Sequence, residues 1–260
     1  MKAMERFDEV DVAKRYQSAQ NWNRALMNQV GQQLNLIERM NRLRSYLSPQ
    51  VAETILGSED YNPFQIHRSE ITVVFLDLRG FTAFSNRADP EEVMAFLRNY
   101  HAEMGRLISK FQGTLEHFAG DGIMIFFNDP LPCEDHTERA VRMAVEMRAR
   151  FREPCMRWIK KGYDLDLGIG LAAGCAVLGN IGFEGRMAYC AVGNVTNLAS
   201  RLSSAARGGQ ILVDLNTLSK IEDRVEAESL GELHLKGYTR PVTAFNIVNL
   251  RQATRHRTES

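Results

Sequence analysis

The sequence predicts an α+β domain, one sheet packed with several helices, behind a helical N-terminal segment. Three observations predict it. Apolar runs of strand length ("ITVVFLDL", "GIMIFF", "ILVD") alternate with helical patterns. Some of those runs pair locally as hairpins, while others are separated by helix-length stretches, a mixture that suits an α+β sandwich. Finally, residues 10 to about 56 hold no glycine before Gly31 and no proline before Pro49.

Within that first stretch, Leu36, Met40, Leu43 and Leu47 repeat at 4-3-4, a short heptad seam. Carried backwards, the register reaches Leu26 and Trp22 only through Gln29 and Gln33. A parallel coiled coil between two subunits and an amphipathic helix packed on its own domain both fit this pattern. "YLSPQVAETIL" opens a short helix with Ser48 as N-cap and Pro49 at its first position.

"GSEDYNPFQIHRSE" reads as a linker, and "ITVVFLDLRGFT" as a strand ending in Asp77. A long helix follows, capped by Asp89, opened by Pro90 and ended by Gly113; Val93, Phe96, Leu97, Tyr100, Met104, Leu107, Ile108 and Phe111 line its core face. "TLEHFAGDGIMIFF" is a hairpin turning at Gly120-Asp121-Gly122. "CEDHTERAVRMAVEMRARF" is a second helix, reaching at least Arg152 before Pro154 disturbs it. The seventeen uncharged residues between Asp166 and Glu184 contain five glycines, which suggests two buried strands joined by a glycine turn rather than a membrane span. A strand "MAYCAVG", a helix opened by Asn194, a strand "GQILVD" and two final strands around a turn complete the chain. The organisation expected is a helical signalling segment over 1–56, a linker over 57–67, a main domain over 68–250 and a disordered tail over 251–260.

Composition narrows the function. The 260 residues carry 32 basic and 32 acidic side chains, so a broad basic face for nucleic acid is not expected. Cys133, Cys155, Cys175 and Cys190 show no zinc-type spacing and suit reduced thiols in a cytoplasmic protein. The start, "MKAMERFDEVDVAKRY", lacks the apolar core of a signal peptide.

Chemistry gathers at four places. Asp77 closes an apolar strand and Asp121 tips a hairpin. If those strands are neighbours, two carboxylates without a basic partner meet at one sheet edge, where a hard divalent cation would relieve their repulsion. The alternative is a helix-capping aspartate and a turn aspartate. The glycine loop Gly80-Phe81-Thr82 lets backbone N–H groups approach a phosphate at a helix start. Asn197 and Arg201, four residues apart, share one helix face, either as a solvated surface or as groups that orient a hydroxyl and take up charge on phosphorus. Lys236 in "LKGYTRP" is either a phosphate contact or plain surface.

Together, "FLDLRGFT", "FAGDGIMIFF", "GCAVLGNIGF" and "VGNVTNLASRL", in this order and spacing, resemble the class III nucleotidyl (adenylate/guanylate) cyclase catalytic domain. The resemblance covers about residues 68 to 250, and the preceding helix resembles the signalling helix of many bacterial members. It implies a ferredoxin-like βαββαβ core whose head-to-tail homodimer builds two composite sites. By it, Asp77 and Asp121, with the Leu78 carbonyl, bind two Mg²⁺ or Mn²⁺ ions; Gly80, Phe81, Thr82 and Lys236 hold phosphates; Asn197 and Arg201 come from the other subunit. The implied reaction turns a nucleoside triphosphate into its 3′,5′-cyclic monophosphate and pyrophosphate, with an upstream sensor domain as a partner. No nucleic acid and no membrane span in this chain are expected.

The base pocket departs from the pattern. Adenylate cyclases carry a lysine four residues before the second metal aspartate and Asp or Thr seven before the asparagine; guanylate cyclases carry Glu and Cys. Here those positions are His117 and Cys190. Cys190 fits the guanylate pattern, or is simply a small core residue; His117 fits neither. An imidazole serves adenine N1 or guanine O6 but lacks the carboxylate that guanine N1–H and N2–H₂ require. ATP is therefore expected over GTP. Gly168 stands where some members place a basic phosphate contact, so weak activity, or nucleotide binding without turnover, is the remaining alternative.

Overall fold

The computed structural model describes residues 9–44, 46–58 and 64–251; the expected tail beyond Arg251 and part of the expected linker lie outside them. The chain divides into two compact units, 1–49 and 50–260.

The first unit is α1 (Glu9–Arg44). Many of its apolar side chains, including Trp22, Leu26, Val30, Ile37 and Met40, are exposed. The expected seam is shortened: the helix stops at Arg44, so Leu47 lies in the bend beyond it.

The second unit begins at the second residue of α2 (Pro49–Gly57), which has proline at its first position as expected. Then come β1 (His67–Arg79), α3 (Phe81–Ser85), α4 (Pro90–Phe111), β2 (Thr114–Ala119), β3 (Gly122–Phe127), α5 (His136–Arg150), α6 (Arg152–Ile159) and β4 (Asp166–Phe183). β5 (Arg186–Val192), α7 (Asn194–Ala205), β6 (Ile211–Asp214), α8 (Leu215–Ser219), β7 (Val225–Leu233) and β8 (Val242–Leu250) follow. The sheet runs β2-β3-β1-β4-β6-β8-β7, with β5 paired on the distal half of β4. The first four strands with α4 and α5 form the expected βαββαβ unit, with β1 antiparallel to both β3 and β4.

Strand parity separates two cores. Val74, Leu76 and Leu78 of β1 face a layer built on α4, α5 and α6, with Phe96, Tyr100, Met104 and Trp158. Ile71 and Val73 face the other side, toward Tyr189 and Ala191 of β5 and Val195 and Ala199 of α7. Asp77 belongs to this second parity, so its carboxylate emerges on the α7 side of the sheet.

Several local expectations are corrected. β1 continues two residues past Asp77. Residues 166–183 form one 18-residue strand, not two strands and a turn. Their glycines serve close approach instead: a Cβ on Gly170 would run into the backbone of α7 at Ala199 and Ser203, and one on Gly182 into the Arg186 carbonyl. The chain reverses later, at Gly185 (φ 90°). Gln112, not Gly113, takes the left-handed position that ends α4. Gly113 is needed because a Cβ there would sit 2.8 Å from Ile125 Cγ2. The second helix, α5, stops at Arg150, short of the expected Arg152, and Pro154 falls in the first turn of α6, where a missing N–H breaks no helical bond.

Candidate active site

Pairing of β1 with β3 sets Leu76 opposite Ile123. One residue beyond each, Asp77 and the hairpin turn come together. Asp121 Oδ2 accepts a hydrogen bond from the Leu78 N–H at 3.2 Å, which ties the turn to β1. Asp77 caps no helix, since Gly80 holds the N-cap position of α3. Burial, with the neighbouring Asp77 charge adding to it, pushes the Asp121 carboxyl above the usual carboxylate range. Beneath them, the Tyr100 hydroxyl is fully buried with no hydrogen-bond partner.

The pair is not without a basic neighbour, which corrects the expectation. Arg79 Nη1 donates to Asp77 Oδ2 at 2.8 Å, and Nη2 donates to the Ser203 carbonyl in the last turn of α7. The guanidinium occupies the space above Gly168, where a Cβ would collide with it. The vacant side-chain position at 168 is thus filled by a cation from β1. Among the described residues no three His, Cys, Asp or Glu side chains converge. Asp77 and Asp121 are a pair of hard oxygen donors, the chemistry that suits Mg²⁺ or Mn²⁺ completed by substrate phosphates.

Gly80 adopts φ 77°, and a Cβ there would strike the Asp164 carbonyl, so the loop requires glycine. Phe81 packs toward Phe84 and Phe96, while Thr82 is exposed. The helix behind the loop has only five residues, so the dipole assistance expected from it is small.

Asp77 and His117 line a cavity of about 210 Å³ together with Ser200, Ser203 and Ser204 of α7. Asn197 and Arg201 are not among its walls. Asn197 is exposed and Arg201 half-buried on α7. Lys236 is exposed in the β7–β8 turn. Two residues on, Tyr238 donates to Asn194 Oδ1 at 2.8 Å and binds that turn to the start of α7. Tyr238 escaped sequence reasoning, as did Arg79 and Glu116. The last is betrayed only by a register slip in β2, where Leu115 pairs with Ile125 and His117 with Met124. Cys190 is half-buried on β5, its thiol pushed up to about 11 by burial and the Glu116 carboxylate.

A model of the adenylate and guanylate cyclase catalytic domain matches residues 65–249. An adenylate cyclase of Anabaena cylindrica is 30% identical over 195 residues, 72% of this chain and 37% of that one. Adenylate cyclase 1 of Rhizobium meliloti is 27% identical over 224 residues, 82% of this chain and 34% of that one. The chain thus spans about a third of the length of these curated relatives. Among solved structures, the adenylyl cyclase CyaB from P. aeruginosa is 35% identical with a TM-score of 0.69, covering 72% of this chain and 98% of that one. The guanylyl cyclase Cya2 is 36% identical with a TM-score of 0.67, covering 73% and 96%. The chain belongs to the adenylate and guanylate cyclase catalytic-domain family.

Proposed function

We propose that this chain converts ATP to 3′,5′-cyclic AMP and pyrophosphate at composite sites of a homodimer, for second-messenger signalling. The observation that carries the reading is the meeting of Asp77 and Asp121 across β1 and the β2–β3 turn, held by the Leu78 N–H. These carboxylates, with the Leu78 carbonyl, would hold two divalent ions, Mg²⁺ or Mn²⁺. When bound, such ions neutralise the triphosphate and lower the pKa of the attacking hydroxyl.

The remaining work belongs to the chain's own groups. Gly80, Phe81 and Thr82 present backbone N–H groups to the phosphates, and Lys236 adds a charge. Asn197 of the second subunit orients the ribose so that its 3′-oxygen faces the α-phosphorus. The bond to the β-phosphate breaks as the new P–O bond forms, and pyrophosphate leaves. Arg201 takes up the charge that develops on the transferred phosphorus. Support for a homodimer comes from the distal β4–β5 hairpin, where Ile181, Phe183, Met187 and Val192 expose apolar surface. Exposed apolar residues on α1 support its pairing with a second copy as a coiled coil that passes a signal from an upstream sensor. Among the described residues, no helix is long and apolar enough to cross a membrane; a cytoplasmic location fits the free cysteines.

GTP is the second reading, favoured by Cys190 and by the likeness to Cya2. Incubation of the purified chain with Mn²⁺ and each of the four nucleoside triphosphates decides. Cyclic AMP and pyrophosphate from ATP are expected. Cyclic GMP alone would reverse the substrate assignment, and no cyclic product from any nucleotide would sink the enzymatic reading.

A further inference from the structure

Arg79 is held by two elements at once. Its Nη1 donates to Asp77 Oδ2 at 2.8 Å, and its Nη2 donates to the Ser203 carbonyl. Ser203 lies in the last turn of α7, where a helix presents its negative end. The guanidinium therefore caps α7 as well as neutralising Asp77. Gly168 leaves room for it: a Cβ there would stand 2.5 Å from Nη2 and 2.7 Å from Nε.

The pose is nonetheless incomplete. Arg79 Nε is buried with no hydrogen-bond partner, which counts against the arrangement energetically. The Arg79 side chain is 28% exposed and that of Asp77 42%, so the ion pair is held only as firmly as a surface pair is. Asp77 is at the same time one of the two hard oxygen donors that suit a divalent cation. An ion bonded to Oδ2 at about 2.1 Å would lie within about 5 Å of Nη1, where the two positive charges repel strongly.

We infer that Arg79 is the resident counter-ion of the metal site, a positioning residue that holds Asp77 until a divalent ion displaces it from Oδ2. The inference deepens the cyclase reading and rests on its assignment of Asp77 and Asp121 to divalent ions. Metal loading is then an exchange of one cation for another rather than the filling of a bare acidic pair. Two carboxylates beside one guanidinium keep a single net negative charge, so the site draws a divalent ion weakly by itself. A triphosphate supplies the missing negative charge, which links metal loading to the arrival of substrate. The bond to Ser203 keeps the released guanidinium at the end of α7.

The test uses the full chain and Mn²⁺ alone, with the free ion read by electron paramagnetic resonance. Arg79→Met removes both the competing ion pair and the repulsion, and should tighten Mn²⁺ binding at least about fivefold. Arg79→Lys keeps the charge and should bind Mn²⁺ as wild type does. Gly168→Ala touches neither charge nor ligand, yet its Cβ would push the guanidinium off its place. It should tighten binding in the same direction by a smaller factor. The gain should vanish in Arg79→Met/Asp77→Asn, which assigns the ion to Asp77.

An Arg79→Met variant that is folded by circular dichroism and binds Mn²⁺ no better than wild type would overturn the inference, reducing Arg79 to a brace between β1 and α7. So would a gain that survives Asp77→Asn. Should Arg79→Met fail to fold, wild-type crystals grown with Mn²⁺ and 3′-deoxy-ATP decide. Arg79 Nη1 still bonded to Oδ2 of a metal-bound Asp77 would overturn the exchange, and a guanidinium clear of Asp77 would support it. Tightening as described without any cyclic product from ATP or GTP would sink the cyclase reading and leave the exchange standing. If neither wild type nor Arg79→Met binds Mn²⁺, the metal assignment falls and the inference with it.

Discussion

Tyr100 shows how the site is supported from below. Its ring belongs to the α4 core, stacked with Phe96 and edge-on to Phe151, while its buried hydroxyl has no partner. Burial first, and then the charges of Asp121 and Asp77, hold that proton on the oxygen. Tyr100→Phe should therefore be neutral or stabilise the fold by up to about 1 kcal/mol, because it removes an unsatisfied polar atom. A urea titration measures this; a loss of stability would mean that the hydroxyl has a partner in solution. The sequence revealed Tyr100 as a core position of a helix, since spacing alone sets the buried face. Its orphaned hydroxyl was hidden, because depth beneath a sheet edge depends on how α4 crosses β1. The Asp77–Asp121 pair was legible for the opposite reason: a strand end and a tight turn announce themselves locally. Arg79 followed Asp77 by two residues in plain sight, yet its bond depended on β1 continuing past Asp77.

At the scale of elements, β4 was the main surprise. Its glycines read as a turn because glycine most often marks one, whereas here Gly170 lets the backbone of α7 lie directly on the strand. Gly170→Ala should consequently cost at least about 1–3 kcal/mol, as overpacking does, with a fall in Tm of several degrees. An unchanged Tm would show that α7 does not sit so close. The entry of β1 carries a pH signature. His67 Nε2 lies 2.8 Å from Asp129 Oδ2, and Nδ1 lies 2.9 Å from the Gln65 carbonyl. The Gln65 carbonyl, and then Asp129, raise its pKa above the ordinary 6.5. A raised folded value means stabilisation that is full below 6.5 and lost as pH rises through the folded pKa. The contribution is small because the ring is 44% exposed. The Tm gap between wild type and His67→Gln should narrow from about pH 6 to about pH 8.5. A gap that widens toward alkaline pH would contradict the ion pair.

For the molecule as a whole, the uncharged stretch at residues 167–183 reads in the sequence as buried throughout. Its first half is buried, but Ile181 is 54% and Phe183 70% exposed where β4 and β5 extend beyond the body of the sheet. Sequence could not separate the halves, since an interface between copies and a core draw on the same apolar residues. The family resemblance, not the residues alone, pointed to a homodimer. In that arrangement one subunit lends Asp77 and Asp121 and the other lends Asn197 and Arg201. The most direct test mixes two purified variants, Asp77→Ala and Arg201→Ala, after each has been shown to be folded and silent by itself. Heterodimers then carry one intact composite site and one doubly damaged site. Random exchange of subunits should restore about a quarter of the wild-type rate of cyclic AMP formation. A mixture that stays silent while the subunits demonstrably exchange would contradict the composite two-subunit site.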